Sequence, residues 1–352
     1  MQTNPLDHEC TSWMLFSEIT GGPMILHKNR DSAKTDIRLI KSDDTAKIKW
    51  LGLGDDNPCM GFNEKGLACV MNSGEETPEF APATKDRMTT PEILVQLLGN
   101  TDNTEDALKM LTGFIKNGQY THKNRGSIFF LMDTEGGMVV ELTAKHVIPV
   151  RSHGAMTIRA NIWHNPGMAQ YSTNKIDHAM NSLSREFQAA LGLNAPLRQN
   201  GVIALEDIWA TSRMRGTMET VKTEHGLCNN TTNSAATIAI DKDYPDTLST
   251  MYVAIGPVGH TMYIPAPICL REIPQDIADR SWSKAAFARR EQHGLAFDSS
   301  VWLPPEQAVM AIYRPALEKA KKAMQNNRRK TAQNILNTAF AKCCEIARKA
   351  VL

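Results

Sequence analysis

The order of strand and helix patterns along this chain constrains its fold more strongly than any other sequence feature. Short apolar strands open the sequence, and two helix patterns follow within residues 90–115. A hairpin pattern surrounds residues 133–137, and a strand at 156–162, a helix at 175–191 and a hairpin around 241–246 come after it. A doubly wound parallel sheet would instead alternate strands and helices regularly. The order therefore predicts an α+β protein with antiparallel sheets.

The last fifty residues or so differ in composition from the rest of the chain. From Pro305 onward they consist almost entirely of helix-forming residues, with a basic cluster at 319–330. Because that cluster lacks aromatic residues that would stack on bases, we interpret it as the solvated face of a helical hairpin. We therefore expect a helical C-terminal extension at 301–352, a domain at 10–300, and a short propeptide or leader remnant at 1–9.

Bulk composition argues against several classes of function. The formal net charge is +1, which provides no broad basic surface for nucleic acid. No apolar run approaches the roughly 20 residues of a membrane span. The first nine residues lack the apolar core of a signal peptide, so the sequence as given indicates a cytoplasmic protein. A signal peptide trimmed from a longer precursor would instead indicate a periplasmic or secreted one.

Cysteine and glycine patterns give no support to a metal or cofactor site. The chain has seven cysteines, and no pair has the Cys-x-x-Cys spacing of a zinc or redox centre. His8 and Cys10 could supply two metal ligands, but no second ligand pair accompanies them. Glycine-rich phosphate loops are also absent from the sequence. We therefore predict no metal and no cofactor, and thiols that are mostly structural.

Cys10 opens the motif that indicates a chemical function. Residues 10–16 have the length and composition of a strand, Gly21-Gly22-Pro23 breaks the chain, and residues 24–27 restart it as a second strand. The resulting hairpin would bring Lys28-Asn29-Arg30-Asp31 beside Cys10. A cation at that place would lower the pKa of a thiol, and a carboxylate would hold an α-amine in position.

Removal of residues 1–9 would give Cys10 a free α-amine beside its thiol. The ordinary pKa of such an amine is about 7.7–8.0, so the amine can act as the general base for the thiol. Two other interpretations stay open. Cys10 would be a buried structural thiol in the first, and half of an internal cysteine–histidine pair in the second. The histidines available for such a pair are His153, His164 and His260.

Several short motifs follow one another in the order found in a known group of enzymes. Cys10-Thr11-Ser12 resembles the nucleophile start of that group, and Lys28–Asp31 resembles its Arg-Asn-x-Asp run. Residues 61–68, Gly-Phe-Asn-Glu-Lys-Gly-Leu-Ala, are similar to its Gly-x-Asn-Glu-Lys-Gly-Leu segment, which is the most specific match. Residues 248–265 look like its closing strand. The group comprises choloylglycine hydrolase and penicillin V acylase, with the isopenicillin N acyltransferase-like and dipeptidase branches.

The resemblance implies the fold and the support of the nucleophile. These N-terminal-nucleophile (Ntn) enzymes have a four-layer αββα sandwich, with two stacked antiparallel sheets between helices. Cys10 would be the nucleophile, and Asp31 would hold its α-amine. Lys28 stands where the family has arginine, and Arg30 is the alternative cation. Thr211-Ser212-Arg213 resembles a Ser-Arg site, so the guanidinium of Arg213 would support the nucleophile region.

The resemblance also implies two oxyanion donors. One is the backbone N–H of Asn72, just beyond a strand. The other is an asparagine side chain, for which Arg159-Ala160-Asn161 makes Asn161 the first candidate. Asn165 in His164-Asn165-Pro166 is its rival, because some branches have asparagine followed closely by proline.

The function that the resemblance implies is that of a cysteine N-terminal-nucleophile hydrolase or acyltransferase. Such an enzyme cleaves a linear carbon–nitrogen amide bond through a thioester acyl-enzyme. Its partner would be a small-molecule amide substrate, and we expect a homo-oligomer. A catalytically silent binding protein of the same fold and a dipeptidase of the same superfamily are the alternatives.

Overall fold

Two antiparallel β-sheets form the centre of the structure. A computed structural model describes residues 10–152, 154–216 and 226–352 of the protein. In spatial order, the six-stranded sheet consists of β10 (Met156–Arg159), β1 (Thr11–Leu15), β2 (Met24–Asp31), β11 (Thr232–Ile240), β12 (Thr250–Ile255) and β13 (Tyr263–Pro267). The seven-stranded sheet consists of β3 (Arg38–Lys41), β4 (Trp50–Gly54), β5 (Pro58–Asn63), β6 (Ala68–Glu76), β7 (Arg125–Met132), β8 (Gly137–Leu142) and β9 (Val147–Arg151).

Helices connect and cover the strands. Those of the described ranges are α1 (Ser17–Thr20), α2 (Thr90–Asn100), α3 (Thr104–Lys116), α4 (Pro166–Ala169), α5 (Ile176–Asn200), α6 (Leu205–Ser212), α7 (Pro245–Leu248), α8 (Gln275–Ala278), α9 (Ser281–His293), α10 (Leu303–Gln325) and α11 (Arg329–Val351). None of them combines the length and the apolar character needed to cross a membrane.

The two sheets stack face to face, and helices lie on their outer faces. β1 and β2 of the six-stranded sheet contact β6 of the other sheet. α2 and α3 pack on the seven-stranded sheet, whereas α5, α6, α9 and α11 pack on the six-stranded one. The expected α+β architecture, with two antiparallel sheets between helical layers, is therefore confirmed.

The start of α2 shows how local sequence determines an element. The side chain and backbone N–H of Thr89 both donate to Glu92 Oε2 at 2.7 Å, which forms a capping box. Pro91 lies in the first turn, where its missing N–H costs no helical hydrogen bond. The apolar side chains at helical spacing are fully buried: Ile93, Leu94, Leu97 and Leu98. The helix predicted near residues 90–99 accordingly begins there and ends at Asn100.

Asn63 and Gly66 build the turn between β5 and β6. Asn63 Oδ1 accepts the backbone N–H groups of Lys65 and Leu67 at 3.0 and 3.1 Å, and its Nδ2 donates to Leu98 O at 2.9 Å. Gly66 has a φ of 92°, in the left-handed region that favours glycine. The most specific of the sequence matches therefore has a structural role in this turn.

The N-terminal hairpin forms with one correction to the prediction. β1 and β2 pair antiparallel, with Thr11 opposite Asn29 and Ser12 opposite Lys28. β2 includes Lys28–Asp31 and so continues four residues past the predicted end at 27. The reason is that β2 also pairs with β11 on its other side, as far as Asp31.

Two other elements differ from the prediction in ways that affect the candidate site. β10 ends at Arg159, so Asn161 lies beyond the strand and not within it. α5 continues to Asn200, well past the predicted end at 191, and contains Pro196. The predicted helical hairpin at the C-terminus forms from α10 and α11, which pack against each other and against β13.

Candidate active site

Cys10 lies immediately before β1 and is buried. Because side chains alternate along a strand, Cys10 shares a face with Ser12, which donates to Asn72 of the other sheet at 2.8 Å. The sulfur of Cys10 lies 3.9 Å from the backbone oxygen of Asp31. The thiol therefore sits between the sheets, beside the end of β2.

Two cations of β2 lie on this inner face, and they have different partners. Lys28 is fully buried and donates from Nζ to Asn72 Oδ1 at 2.8 Å. Arg30 donates from Nη2 to Asp55 at 3.1 Å. Burial opposes the charge of Arg30, but the nearby Cys59, Asp55 and Cys10 raise its pKa overall. Arg30 is thus a charged neighbour of Cys10, whereas the head group of Lys28 is bonded to Asn72.

The guanidinium of Arg30 also has a spare donor. Its Nη1 is buried and makes no hydrogen bond to the described residues. Cys59 was not expected in this environment from the sequence. Burial raises the pKa of the Cys59 thiol, and the nearby Arg30 and Lys28 act in the opposite direction. A second thiol therefore lies in the same charged environment as the candidate nucleophile.

Asp31 is buried at the end of β2 and points to the opposite face from Arg30. Its Oδ2 accepts from Asn229 Nδ2 at 2.8 Å. Asn229 also accepts from the backbone N–H groups of Thr231 and Thr232 through its Oδ1, at 2.8 and 3.2 Å. The segment before β11 therefore orients the carboxylate that the resemblance assigns to the α-amine.

The side chain of Asn72 connects the two sheets. Its Oδ1 accepts from both Ser12 and Lys28, and its Nδ2 donates to the backbone oxygens of Arg159 and Ala160 at 3.2 and 3.0 Å. Asn72 itself is fully buried and lies within β6, not just beyond a strand as predicted, because the strand continues to Glu76. Both hydrogens of its amide are used in these bonds, so the side chain of Asn72 joins β1 and β2 to the chain after β10.

Asn161 and Arg185 form a link that the sequence did not reveal. Arg185 Nη2 donates to Asn161 Oδ1 at 3.0 Å, and its Nη1 donates to the backbone oxygen of Cys10 at 2.7 Å and to Thr11 Oγ1 at 3.0 Å. Asn161 Nδ2 donates to Ser73 O at 2.7 Å. One guanidinium of α5 therefore fixes Cys10 and Asn161 relative to each other.

Three carboxylates hold the segment 160–165 through its backbone. The pairs of carboxylate and N–H donor are Glu186 with Ala160 at 2.8 Å, Glu75 with Trp163 at 3.1 Å, and Glu141 with His164 at 2.8 Å and Asn165 at 3.1 Å. Burial raises the pKa of Glu75 and of Glu141. These bonds hold the backbone on both sides of Asn161, and they therefore limit where its side-chain amide can lie.

Asn165 has a different task. Its Oδ1 accepts from the backbone N–H of Gly167 at 2.8 Å, so Asn165 caps the short helix α4. This geometry favours Asn161 over Asn165 as the side-chain oxyanion donor, because the amide of Asn161 is linked through Arg185 to Cys10.

The histidines give no cysteine–histidine pair in the described part of the chain. His164 Nε2 lies 3.0 Å from Glu186 Oε2. His260 Nε2 lies 2.8 Å from Gly294 O, and burial lowers its pKa to about 4. Among the described residues, no hydrogen bond joins Cys10 to a histidine ring, and His153 lies outside those residues. His178, which was not predicted, lies 3.5 Å from the backbone oxygen of Asn161 through Nε2.

Arg213 is buried at the end of α6, and its guanidinium makes several hydrogen bonds. Its Nη1 donates to Glu306 of α10 at 3.0 Å, its Nη2 to Glu306 and to Thr261 O, and its Nε to Val258 O. Ser212 next to it donates to Asn29 Oδ1 at 2.6 Å. In the described structure Arg213 thus joins α6 to α10, and its neighbour Ser212 makes the contact with β2.

The Arg213–Glu306 pair provides a stability prediction with an internal control. Both side chains are nearly inaccessible, at 7% and 3% exposure, and Glu306 Oε1 also accepts the N–H of Tyr263. Glu306→Gln leaves a buried cation without its counter-charge, which we expect to lower the free energy of unfolding by about 3–5 kcal/mol. Glu206→Gln breaks the exposed pair with Arg314 and should cost about 0–1 kcal/mol. Urea unfolding of both variants measures the difference, and equal losses would contradict it.

A large cleft lies at the far end of β1 from Cys10. Its volume is about 710 Å³, and Phe16, Tyr252 and Met310 are among the residues that line it. None of the predicted site residues lines this cleft. Within the described ranges, no three His, Cys, Asp or Glu side chains are grouped as ligands of a metal ion would be.

Comparisons with known proteins agree with the resemblance seen in the sequence. The family model of acyl-coenzyme A:6-aminopenicillanic acid acyl-transferase matches residues 58–207. That range includes Asn72, Asn161 and Asn165, and it does not reach Cys10 or Arg213. The resemblance to this group of N-terminal-nucleophile enzymes is thereby confirmed. No curated protein matches the chain.

Solved structures similar to this one include a bile acid hydrolase and a penicillin V acylase. A variant of conjugated bile acid hydrolase from Clostridium perfringens has 14% identity and a TM-score of 0.49, over 74% of this chain and 92% of the other. Penicillin V acylase from Agrobacterium tumefaciens has 14% identity and a TM-score of 0.46, over 72% of this chain and 86% of the other.

Proposed function

We propose that this protein is a cysteine N-terminal-nucleophile enzyme that cleaves a linear amide by hydrolysis or acyl transfer. The observation that carries the proposal is the arrangement around Cys10. A buried thiol at the start of β1 lies beside the end of β2, and Arg185 connects its residue to Asn161. The family match to residues 58–207 supports the same class of chemistry.

The proposed reaction begins with loss of residues 1–9, which gives Cys10 a free α-amine. The amine takes the proton of the thiol, and the sulfur attacks the amide carbonyl carbon. The carbon–nitrogen bond then breaks, and the leaving amine receives the proton. The product is a thioester on Cys10. Water resolves the thioester in hydrolysis, and a second amine resolves it in acyl transfer.

An oxyanion forms at the attacked carbonyl and needs hydrogen-bond donors. We assign this role to Asn161 Nδ2 and to the backbone N–H of Asn72. An amide nitrogen carries two hydrogens, so the bond from Asn161 to Ser73 O leaves one for the substrate. One donor of this kind contributes about 3–4 kcal/mol to transition-state stabilisation in other hydrolases.

The charged residues around the thiol would have supporting roles. Asp31, oriented by Asn229, would hold the α-amine of Cys10. Arg30 would favour the thiolate, and its spare Nη1 would be available to a polar group of the substrate. Lys28 would act through Asn72, which it contacts directly.

Trapping of the acyl-enzyme tests the proposed function. The full chain is mixed with a panel of N-acyl amides that release a chromogenic amine, and the protein is quenched and digested. We expect the acyl mass on the peptide that begins with Cys10, and its removal by neutral hydroxylamine, which cleaves thioesters. Release of amine with the acyl group on another residue would reject the assignment. Binding of amides without any release would favour the catalytically silent alternative.

A further inference from the structure

Helix α5 is apolar on the side that faces solvent. Between residues 178 and 197, every exposed position carries an apolar side chain: Met180, Leu183, Phe187, Leu191 and Ala195. Ile176, at the start of the helix, extends this row and is 76% exposed. A surface helix normally places charged and polar residues on its solvent face. The outer face of α5 therefore has the composition of an interface.

The edge of the six-stranded sheet continues this apolar surface. β10 is an edge strand that pairs only with β1 within the described residues. Met156 and Ile158 of β10 form a shallow groove with Leu183, Glu186, Phe187 and Ala190 of α5, and Glu186 is the charged member of this set. A ridge of large side chains thus lies next to a groove into which similar side chains can pack.

The spacing and the area fit a helix–helix contact. Ile176, Met180, Leu183, Phe187 and Leu191 follow one another at steps of four, three, four and four residues. This is the spacing of a seam between two packed helices. At about 200 Å² for a large side chain, their exposed fractions amount to about 600 Å². A stable protein–protein interface needs about 800 Å² on each partner, and Met156 and Ile158 add to the seam.

We infer that the α5 face, defined by these five side chains with Met156 and Ile158, is the interface of a homodimer. A row of apolar side chains can pair with a copy of itself without repulsion between like charges, as a twofold interface requires. The exposed charged residues of α5, Asp177 and Arg198, lie near its two ends. A helix that lies on a membrane surface has a polar side rich in Lys and Arg, which the exposed positions of 178–197 lack. The inference does not depend on the chemistry at Cys10.

The dimer would rest on the helix that supports the candidate site. Arg185 and Glu186, on the inner side of α5, contact the backbone oxygen of Cys10 and the N–H of Ala160. The same helix thus has one side against the site and the other side in the proposed interface.

Sedimentation velocity of the full chain tests the inference directly. At protein concentrations up to about 100 µM, we expect a dimer for the wild type and a monomer for the double variant Met180→Glu/Phe187→Glu, because dimerisation would bury four carboxylates without partners. Val301→Glu is the matched control, since Val301 is an exposed apolar residue outside the α5 face. That variant should remain a dimer. A monomeric wild type, or a dimer that survives the double substitution, would overturn the inference.

A cross-link decides the question if the charged variant fails to fold. Leu183 is at the middle of the row, so two antiparallel copies would bring it close to itself. Leu183→Cys should give a covalent dimer under mild oxidation, whereas Val301→Cys should not. The native cysteines are free, and all but the half-buried Cys269 are buried, which keeps the background low. Absence of the Leu183→Cys cross-link would count against the interface. A monomeric wild type that sediments with lipid vesicles would show that the α5 face contacts a membrane instead.

Discussion

Cys10→Ala is expected to abolish amide turnover while the protein remains folded. The substitution removes the only atom that forms the thioester in the proposed reaction. Loss of the nucleophile in a well-studied serine hydrolase costs on the order of 10⁶ in kcat, and we expect a loss of similar order here. Removal of one buried sulfur should lower the free energy of unfolding by only about 1–2 kcal/mol. Amine release and urea unfolding, measured side by side, separate the two effects.

Cys69→Ala is the matched control for this prediction. Cys69 is fully buried in β6, and burial raises the pKa of its thiol. Its loss should reduce stability by a similar amount and leave kcat within a few-fold of the wild type. If the two variants lost stability equally and both kept their activity, Cys10 would be a structural thiol and the proposed function would be wrong.

Asn161→Ala is expected to lower kcat by roughly 10²–10³, because it removes the side-chain oxyanion donor. The effect should appear in kcat and kcat/KM together, since the donor acts mainly on the transition state. The variant also removes the hydrogen bonds of Asn161 to Ser73 O and to Arg185 Nη2, so a loss of about 1–3 kcal/mol in stability accompanies it. Kinetics are therefore measured well below the unfolding temperature.

Asn165→Ala separates catalysis from stability in the same segment. It removes the cap of α4, which should cost about 1 kcal/mol, and kcat should stay within a few-fold of the wild type. The reverse pattern would move the oxyanion donor to Asn165. Equal and mild effects from both variants would remove the side-chain donor from the mechanism.

Local sequence patterns were sufficient to predict a helix or strand where its own residues determine it. The β1–β2 hairpin follows from a chain break at 21–23, and α2 follows from Pro91 near its start and from apolar residues at helical spacing. The C-terminal helices follow from their composition. β3 and β4 were not predicted, because their residues include glycines and charged side chains and their pairing comes from neighbours in the sheet.

The candidate site was only partly accessible to sequence reasoning, since its contacts join distant parts of the chain. Arg185 is 175 residues from Cys10 along the sequence, and nothing in α5 sets it apart from an ordinary helical arginine. Arg213 shows the opposite problem. Its motif suggested support of the nucleophile, but a carboxylate from the C-terminal extension, Glu306, occupies its guanidinium. Only the fold reveals which charges meet.

The identity of the first residue in the active protein decides whether Cys10 is an N-terminal nucleophile. The protein is labelled with iodoacetamide until amide turnover stops, and the labelled form is then analysed by intact mass and by N-terminal sequencing. We expect a chain that has lost Met1–Glu9 and begins with alkylated Cys10, because the α-amine and the thiol must belong to one residue. Full activity in protein that retains residues 1–9, with the label on any other cysteine, would contradict this expectation.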